Sequence, residues 1–197
     1  KKVVAKMWEL TLVLALVLVV VVWLGNKRYQ ALQKQNHAIW LQVETQLNRR
    51  YDWVPSWIKT AKCILQQEIS ALKTVIEASK AAARALKNIK QRPEHSPAMQ
   101  EWLRAEAHFT QSLRELRAIV RATPDLHNHP DLLPLRAELL QIEKTLHSAC
   151  VEYNHTIDSY NQYRKGFPQN LLAQVLGHHQ DALLLPIDET IALDSPA

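Results

Sequence analysis

Glycine is scarce in this chain, and so are the alternating patterns of β-structure. Three Gly among 197 residues and no alternating runs of Val, Ile and Thr leave little from which to build a sheet. No glycine-rich loop is present to cradle a phosphate, and no Ser or Cys sits between small residues on a strand-to-helix turn, so nucleotide-loop and hydrolase-elbow chemistry are excluded. Only two cysteines occur, Cys63 and Cys150. Each lies beside an apolar helical row and reads as a small core residue rather than half of a disulfide. Beyond Lys165 there is no Lys or Arg, while Asp181, Asp188, Glu189 and Asp194 follow, so a net charge of +5 hides a basic body and an acidic tail. The charges are mixed along each segment and no groove-entering module is visible, which argues against nucleic acid as a partner.

What the chain does have is Leu10 to Leu24, fifteen residues of which only Thr11 is not apolar. Extended back to Val3, with Lys6 and Glu9 as interruptions, it makes a helix of roughly 33 Å, enough to cross a bilayer core. Trp8 and Trp23 fall at the two interfaces, with Lys1, Lys2 and Lys6 on one side and Lys27 and Arg28 on the other. The alternative is a cleaved leader. The run Trp23-Leu24-Gly25-Asn26 lacks a small-x-small cleavage site, so a retained anchor over 1–25 is the expectation. Three lysines before the span against two basic residues after it tilt towards an N-terminus inside, which puts the soluble domain in the periplasm of a bacterial inner membrane.

Leu, Ala, Gln, Glu, Lys and Arg dominate the remainder, and all are good helix formers. Leu32, Ile39, Val43 and Leu47, with Trp40 beside them, predict that the membrane helix continues as a rod to Tyr51. Asp52 then reads as an N-cap and Pro55 as a first-turn residue, so the chain is expected to turn back there. A second helix follows on Val54, Ile58, Ala61, Leu65, Ile69, Leu72, Val75, Ser79, Ala82 and Leu86, spaced by threes and fours to about Asn88. A third starts at Ser96-Pro97 and carries Trp102, Ala105, Phe109, Leu113, Leu116 and Val120 as far as Thr123-Pro124. After a loop from Asp125 to Pro130, a fourth runs on Leu132, Leu135, Leu139, Ile142, Leu146, Ala149, Tyr153, Ile157 and Tyr160 and stops at Gly166 and Pro168. A short helix from Asn170 to Leu176 closes a bundle over 26–177, and 178–197 reads as an acidic extended arm. The fold class is all-α: an antiparallel four-helix bundle continuous with its anchor.

The run Val43 to Pro55 (VETQLNRRYDWVP), Thr123-Pro124-Asp125-Leu126, the pairs Tyr153-Asn154 and Tyr160-Asn161, and Phe167-Pro168-Gln169-Asn170 occur in that order behind the apolar segment. In this the chain resembles the LemA family of bacterial membrane-anchored proteins, over roughly Gln42 to Gly177. The resemblance implies an N-terminal anchor followed by a helical bundle, and it implies no established enzymatic activity.

Several groupings are candidate sites. A di-metal carboxylate centre needs two Glu-x-x-His pairs, and only Glu152 to His155 occurs, rotated off the apolar row set by Tyr153. The loop histidines His127, His129, His178 and His179 lack partners at ligand spacing, so no metal or other cofactor is expected. Tyr153, Asn154, Tyr160 and Asn161 share one helix face, and Arg49, Arg50 and Asp52 at the expected corner are their natural partners, either as a polar network that locks register or as a recognition surface. A rod of about 25 residues answered by a returning helix of about 36 carries Lys80, Arg84, Lys87, Lys90 and Arg92 to headgroup level. An ordinary solvated face is the alternative. Trp40, Trp53, Trp57 and Trp102 are core by spacing, although Trp57, one position off its row, is a candidate anchor between subunits. Leu183, Leu184 and Leu185 in the acidic arm are the other candidate oligomer contact, laid on the basic second helix of a neighbour. Membrane lipid and further copies of the chain are thus the expected partners. The predicted role is a non-enzymatic scaffold that self-associates at the membrane surface; the other reading is an adaptor or regulator of a membrane enzyme such as a quality-control protease.

Overall fold

The computed structural model describes residues 2–65, 70–89, 97–166, 170 and 181–186. These contain five helices and no strand, so the all-helical expectation holds among the described residues. The helices are α1 (Lys2–Leu65), α2 (Ser70–Lys87), α3 (Pro97–Ala122), α4 (Pro124–His127) and α5 (Leu133–Lys165).

The largest departure from expectation is the length of α1, which runs 64 residues without a break, about 96 Å, and carries Pro55 inside it. The turn expected at Tyr51-Asp52 does not exist, and Asp52 is an exposed mid-helix residue rather than a cap. A proline in a helix interior costs about 3 kcal/mol through a missing N–H and a clash with the preceding turn. Against that stand Trp53, Val54, Trp57, Ile58 and Ala61, all buried on the same stripe that Leu47 and Tyr51 begin. Full burial of one such side chain contributes about 1.5–3 kcal/mol, so the continued stripe outweighs the proline.

At its other end α1 is bare. An 18-residue window of mean hydropathy 1.8 is only 6% buried, and Leu12, Leu14, Leu16, Leu18, Val19 and Trp23 all face outward. By length and composition this helix is apolar enough to cross a membrane. Buried side chains begin at Tyr29 and continue through Leu32, Ile39, Trp40 and Val43, where the other helices take hold.

Paired side chains give the directions. Along α1 and α5, Tyr29 meets the rings of Tyr160 and Tyr163 (6.1 and 5.1 Å between centroids), Trp40 meets Tyr153 (5.7 Å), and the Trp53 indole N–H donates to the Leu135 carbonyl at 2.7 Å. Numbers rise along one helix as they fall along the other, so these two run in opposite directions. Contacts of Trp40 with Trp102 (5.9 Å) and of Tyr51 with Phe109 (5.5 Å) rise together, so α3 follows α1 in the same sense. Leu72, Val75, Ala78, Ala82 and Leu86 on α2 complete one continuous core with these residues.

Three smaller corrections follow. The expected loop after Thr123 contains a helical turn, α4, because Leu126 is drawn into the core. Cys63 is exposed, unlike buried Cys150. The basic second helix does not return to the apolar segment: α1 rises 40 residues from Asn26 to Leu65, about 60 Å, whereas α2 comes back over only 18, about 27 Å. Lys80, Arg84 and Lys87 therefore sit far along the shaft, all exposed. Lys90 and Arg92 lie outside the described residues, as does the predicted short helix beyond Asn170.

Replacing Pro55 with Ala restores the missing N–H within an already helical segment. Thermal or urea unfolding followed by circular dichroism is expected to show a gain of about 1–3 kcal/mol; a loss would mean that the proline stabilises a bend that the packing needs.

Candidate functional site

Charged residues at core positions mark the interior of the molecule where α1, α3 and α5 meet. Glu106 is four residues after Trp102 and three before Phe109, and Glu143 is four after Leu139 and three before Leu146, so helical geometry turns both carboxylates inward. Both are buried, as is Arg50. An ionised group taken out of water must be paired, and these are. Arg50 forms an ion pair with Glu106 and lies 3.6 Å from a Glu143 oxygen, its two terminal nitrogens also reaching the Thr110 hydroxyl at 3.3 Å each. Arg117 pairs with the other oxygen of Glu143. The Tyr51 hydroxyl donates to Glu106 and accepts from the Trp102 indole N–H at 3.0 Å. The Arg50 guanidinium also lies 4.9 Å from the Phe109 ring centroid.

The result is a ladder of alternating charge, Arg117, Glu143, Arg50, Glu106, ending on the Tyr51 phenol. Burial, then the neighbouring Glu106 carboxylate, push the Tyr51 phenol far above its ordinary range, so it stays a proton donor. Burial first and Glu106 second likewise push the Cys150 thiol up to about 12. Beside the ladder is a cavity of about 300 Å³ lined by Arg50, Glu106, Thr110, Arg117, Glu143, His147 and Cys150. Leu185 and Pro186 from the chain's C-terminal part also line it.

Those two residues belong to a non-helical strap, 181–186, that lies on the outside of α5. The Asn161 amide donates to the Ala182 carbonyl (3.3 Å) and accepts from the Ala182 N–H (3.0 Å). Asn154 does the same with Leu185, at 2.8 Å in both directions. Asp181 forms ion pairs with Arg164 and, at 2.9 Å, with Lys165. Hydrogen bonding from Lys165, then from Arg164, holds the Asp181 carboxyl below its ordinary range.

The sequence-predicted residues are therefore regrouped. Asn154 and Asn161 face the strap rather than a corner; Arg50 joins the carboxylate ladder; Arg49 and Asp52 are exposed and take no part in it, because α1 does not turn where they stand. Tyr153 and Tyr160 are fully buried against Trp40 and Tyr29. Trp57 is 2% exposed and stacked on Trp53, so it is a core residue and presents no anchor to another subunit. Leu185 and Ala182 are buried in their own chain's core, Leu183 is partly buried against it, and Leu184 is 47% exposed. Along the apolar part of α1, Trp8 and Trp23 are exposed, Arg28 is exposed, and the Lys27 ammonium sits 3.8 Å from the Trp23 ring centroid.

Glu106, Glu143, Thr110 and Arg117 were not singled out from the sequence. The signal was available for the two glutamates, since each interrupts an apolar row at the very position where the spacing calls for a hydrophobe. Asn36, four after Leu32 and three before Ile39, is a third such interruption; it is fully buried and its amide meets no hydrogen-bond partner among the described residues. Glu152 and His155 are both exposed, and among the described residues no three His, Cys, Asp or Glu side chains converge as metal ligands.

Chemically the ladder is a closed system of compensated charge. Removing one member strands the others: Arg50→Met leaves Glu106 without its cation and is expected to cost about 3–5 kcal/mol in urea unfolding, part of it recovered by adding Glu106→Gln. A loss under about 1 kcal/mol would mean that the pair is solvated. The thiols give a second check. Near neutral pH a maleimide is expected to modify exposed Cys63 alone, with Cys150 reacting only on denaturation, because a raised thiol pKa keeps it protonated and the strap lies across its cavity; a double adduct on the native protein by mass spectrometry would contradict this arrangement.

Compared with known proteins, the sequence matches the model of the LemA family over residues 39–190, a region that takes in the ladder and the strap. No curated protein matches it.

Proposed function

We propose that this chain, which belongs to the LemA family, is a single-pass membrane protein that acts by position and shape. Its antiparallel four-helix bundle, α1, α2, α3 and α5, self-associates into a non-enzymatic homo-oligomeric scaffold on the surface of the bacterial cytoplasmic membrane, with the bundle on the periplasmic side. One observation carries the reading: α1 is a single helix whose first part is apolar and bare and whose later part is the bundle's own core. A continuous helix transmits height and orientation, which a flexible tether would not. The directions of α1, α3 and α5 support the bundle topology. The compensated ladder supports a rigid role, since it fixes the relative register of three helices. Trp23, Lys27 and Arg28 supply an aromatic and basic collar at the end of the apolar segment.

An adaptor that holds a partner protein against a membrane enzyme is the second reading, favoured by the strap-covered face of α5. Crosslinking in intact membranes followed by light scattering of the detergent-extracted particle separates the two. The scaffold predicts a ladder of self-multiples and one high-order mass. A monomer crosslinked to a single protein of different mass would replace it with the adaptor, and extraction by alkaline carbonate without detergent would remove the anchor.

A further inference from the structure

The strap is held by its backbone. Asn154 and Asn161 each use both halves of the carboxamide on one backbone residue, donating to its carbonyl and accepting from its N–H. Nothing in those four hydrogen bonds depends on which side chain the bound residue carries. The two asparagines are seven residues apart, about 10.5 Å along α5, and the residues they hold are three apart. A polyproline II ribbon repeats every three residues and rises about 3.1 Å for each, so it places such residues on one side and about 9 Å apart. A flat strand alternates and would turn one of them away. Pro186 restricts Leu185 to the extended region in advance. Side chains add three selective contacts: Asp181 on Arg164 and Lys165, a small Ala182 buried against α5, and a buried Leu185 that lines the cavity.

We propose that this face of α5 is a peptide-binding groove that reads the backbone of an extended segment of a partner protein. The ligand carries an acidic residue, a small residue next to it and a leucine three further on, and residues 181–186 are a resident copy of it. Two observations argue for a partner's segment rather than a permanent part of the core. The groove's charge is cationic where the strap's is anionic, so it selects an acidic ligand from any source. The strap also begins on the very residues where α5 ends, although fifteen residues, 166–180, lie between them. The tether thus adds local concentration to contacts that an untethered segment makes equally well. Displacement of the strap uncovers the cavity beside Arg50 and Cys150. The inference deepens the adaptor reading and is independent of whether the chain self-associates.

The test uses the full chain in detergent and a fluorescent peptide of residues 180–187, read by anisotropy. Leu185→Ser, and separately the exposed change Asp181→Lys, weaken the resident strap and leave the groove intact. Both are expected to bind the peptide at least about tenfold more tightly than the unaltered chain. Methylating the peptide's backbone nitrogens at the Ala182 and Leu185 positions is expected to reduce that binding by about tenfold, because it removes the two N–H donors and changes no side chain. Adding Asn154→Ala and Asn161→Ala to the Asp181→Lys chain is expected to do the same. Equal binding of the methylated peptide, or no gain in either strap variant, overturns the proposal. A dimer of the unaltered chain that becomes a monomer in both strap variants also overturns it, by assigning the groove to a second copy.

Discussion

Everything in this molecule is arranged around the cost of keeping Arg50, Glu106 and Glu143 out of water. Each of these charges is tolerable only because the others are within reach, and they come from three helices. An apolar core alone permits helices to slide by a turn with modest loss. A ladder that must meet oxygen for nitrogen does not. Tyr51, Trp102 and Thr110 add hydrogen bonds to it, so the interior has one register in which each charge of the ladder faces an opposite one.

How far the sequence discloses this differs from residue to residue. The three-four spacing of Leu139, Ile142, Leu146 and Tyr153 announces α5 and its buried face without ambiguity, and the fifteen-residue apolar run announces the bare end of α1. The end of α1 was not legible, because Asp52 and Pro55 are local signals for a helix start, and local signals lose to a buried stripe that includes Trp53, Val54, Trp57 and Ile58. From that one error came the misplaced corner and the overestimated reach of Lys80, Arg84 and Lys87. Asn154 and Asn161 were recognisable as a pair, but their partners lie more than twenty residues away in an arm with no helical period. Periodicity carries no information about such a contact.

The ladder and the strap divide the labour of the fold. The first holds α1, α3 and α5 together from inside; the second holds only itself, through α5, and covers a cavity wall. Interactions of these two kinds open with different free energies, so the body is expected to stay closed while its surface segment exchanges. A rigid support that carries such a segment can have a fixed frame and a replaceable occupant in the same chain.

The unbroken passage from bare apolar helix into packed bundle has a geometric consequence. Each residue of a helix advances it by about 1.5 Å and rotates it by about 100°. Between Leu24 and Tyr29, inserting or deleting one residue would scarcely alter the height of the bundle, yet would swing its α5 side by more than a quarter turn about the shaft. The compass bearing of the bundle is thus written into the phase of a few residues near Lys27, and any neighbour in the same plane meets whichever face that phase selects.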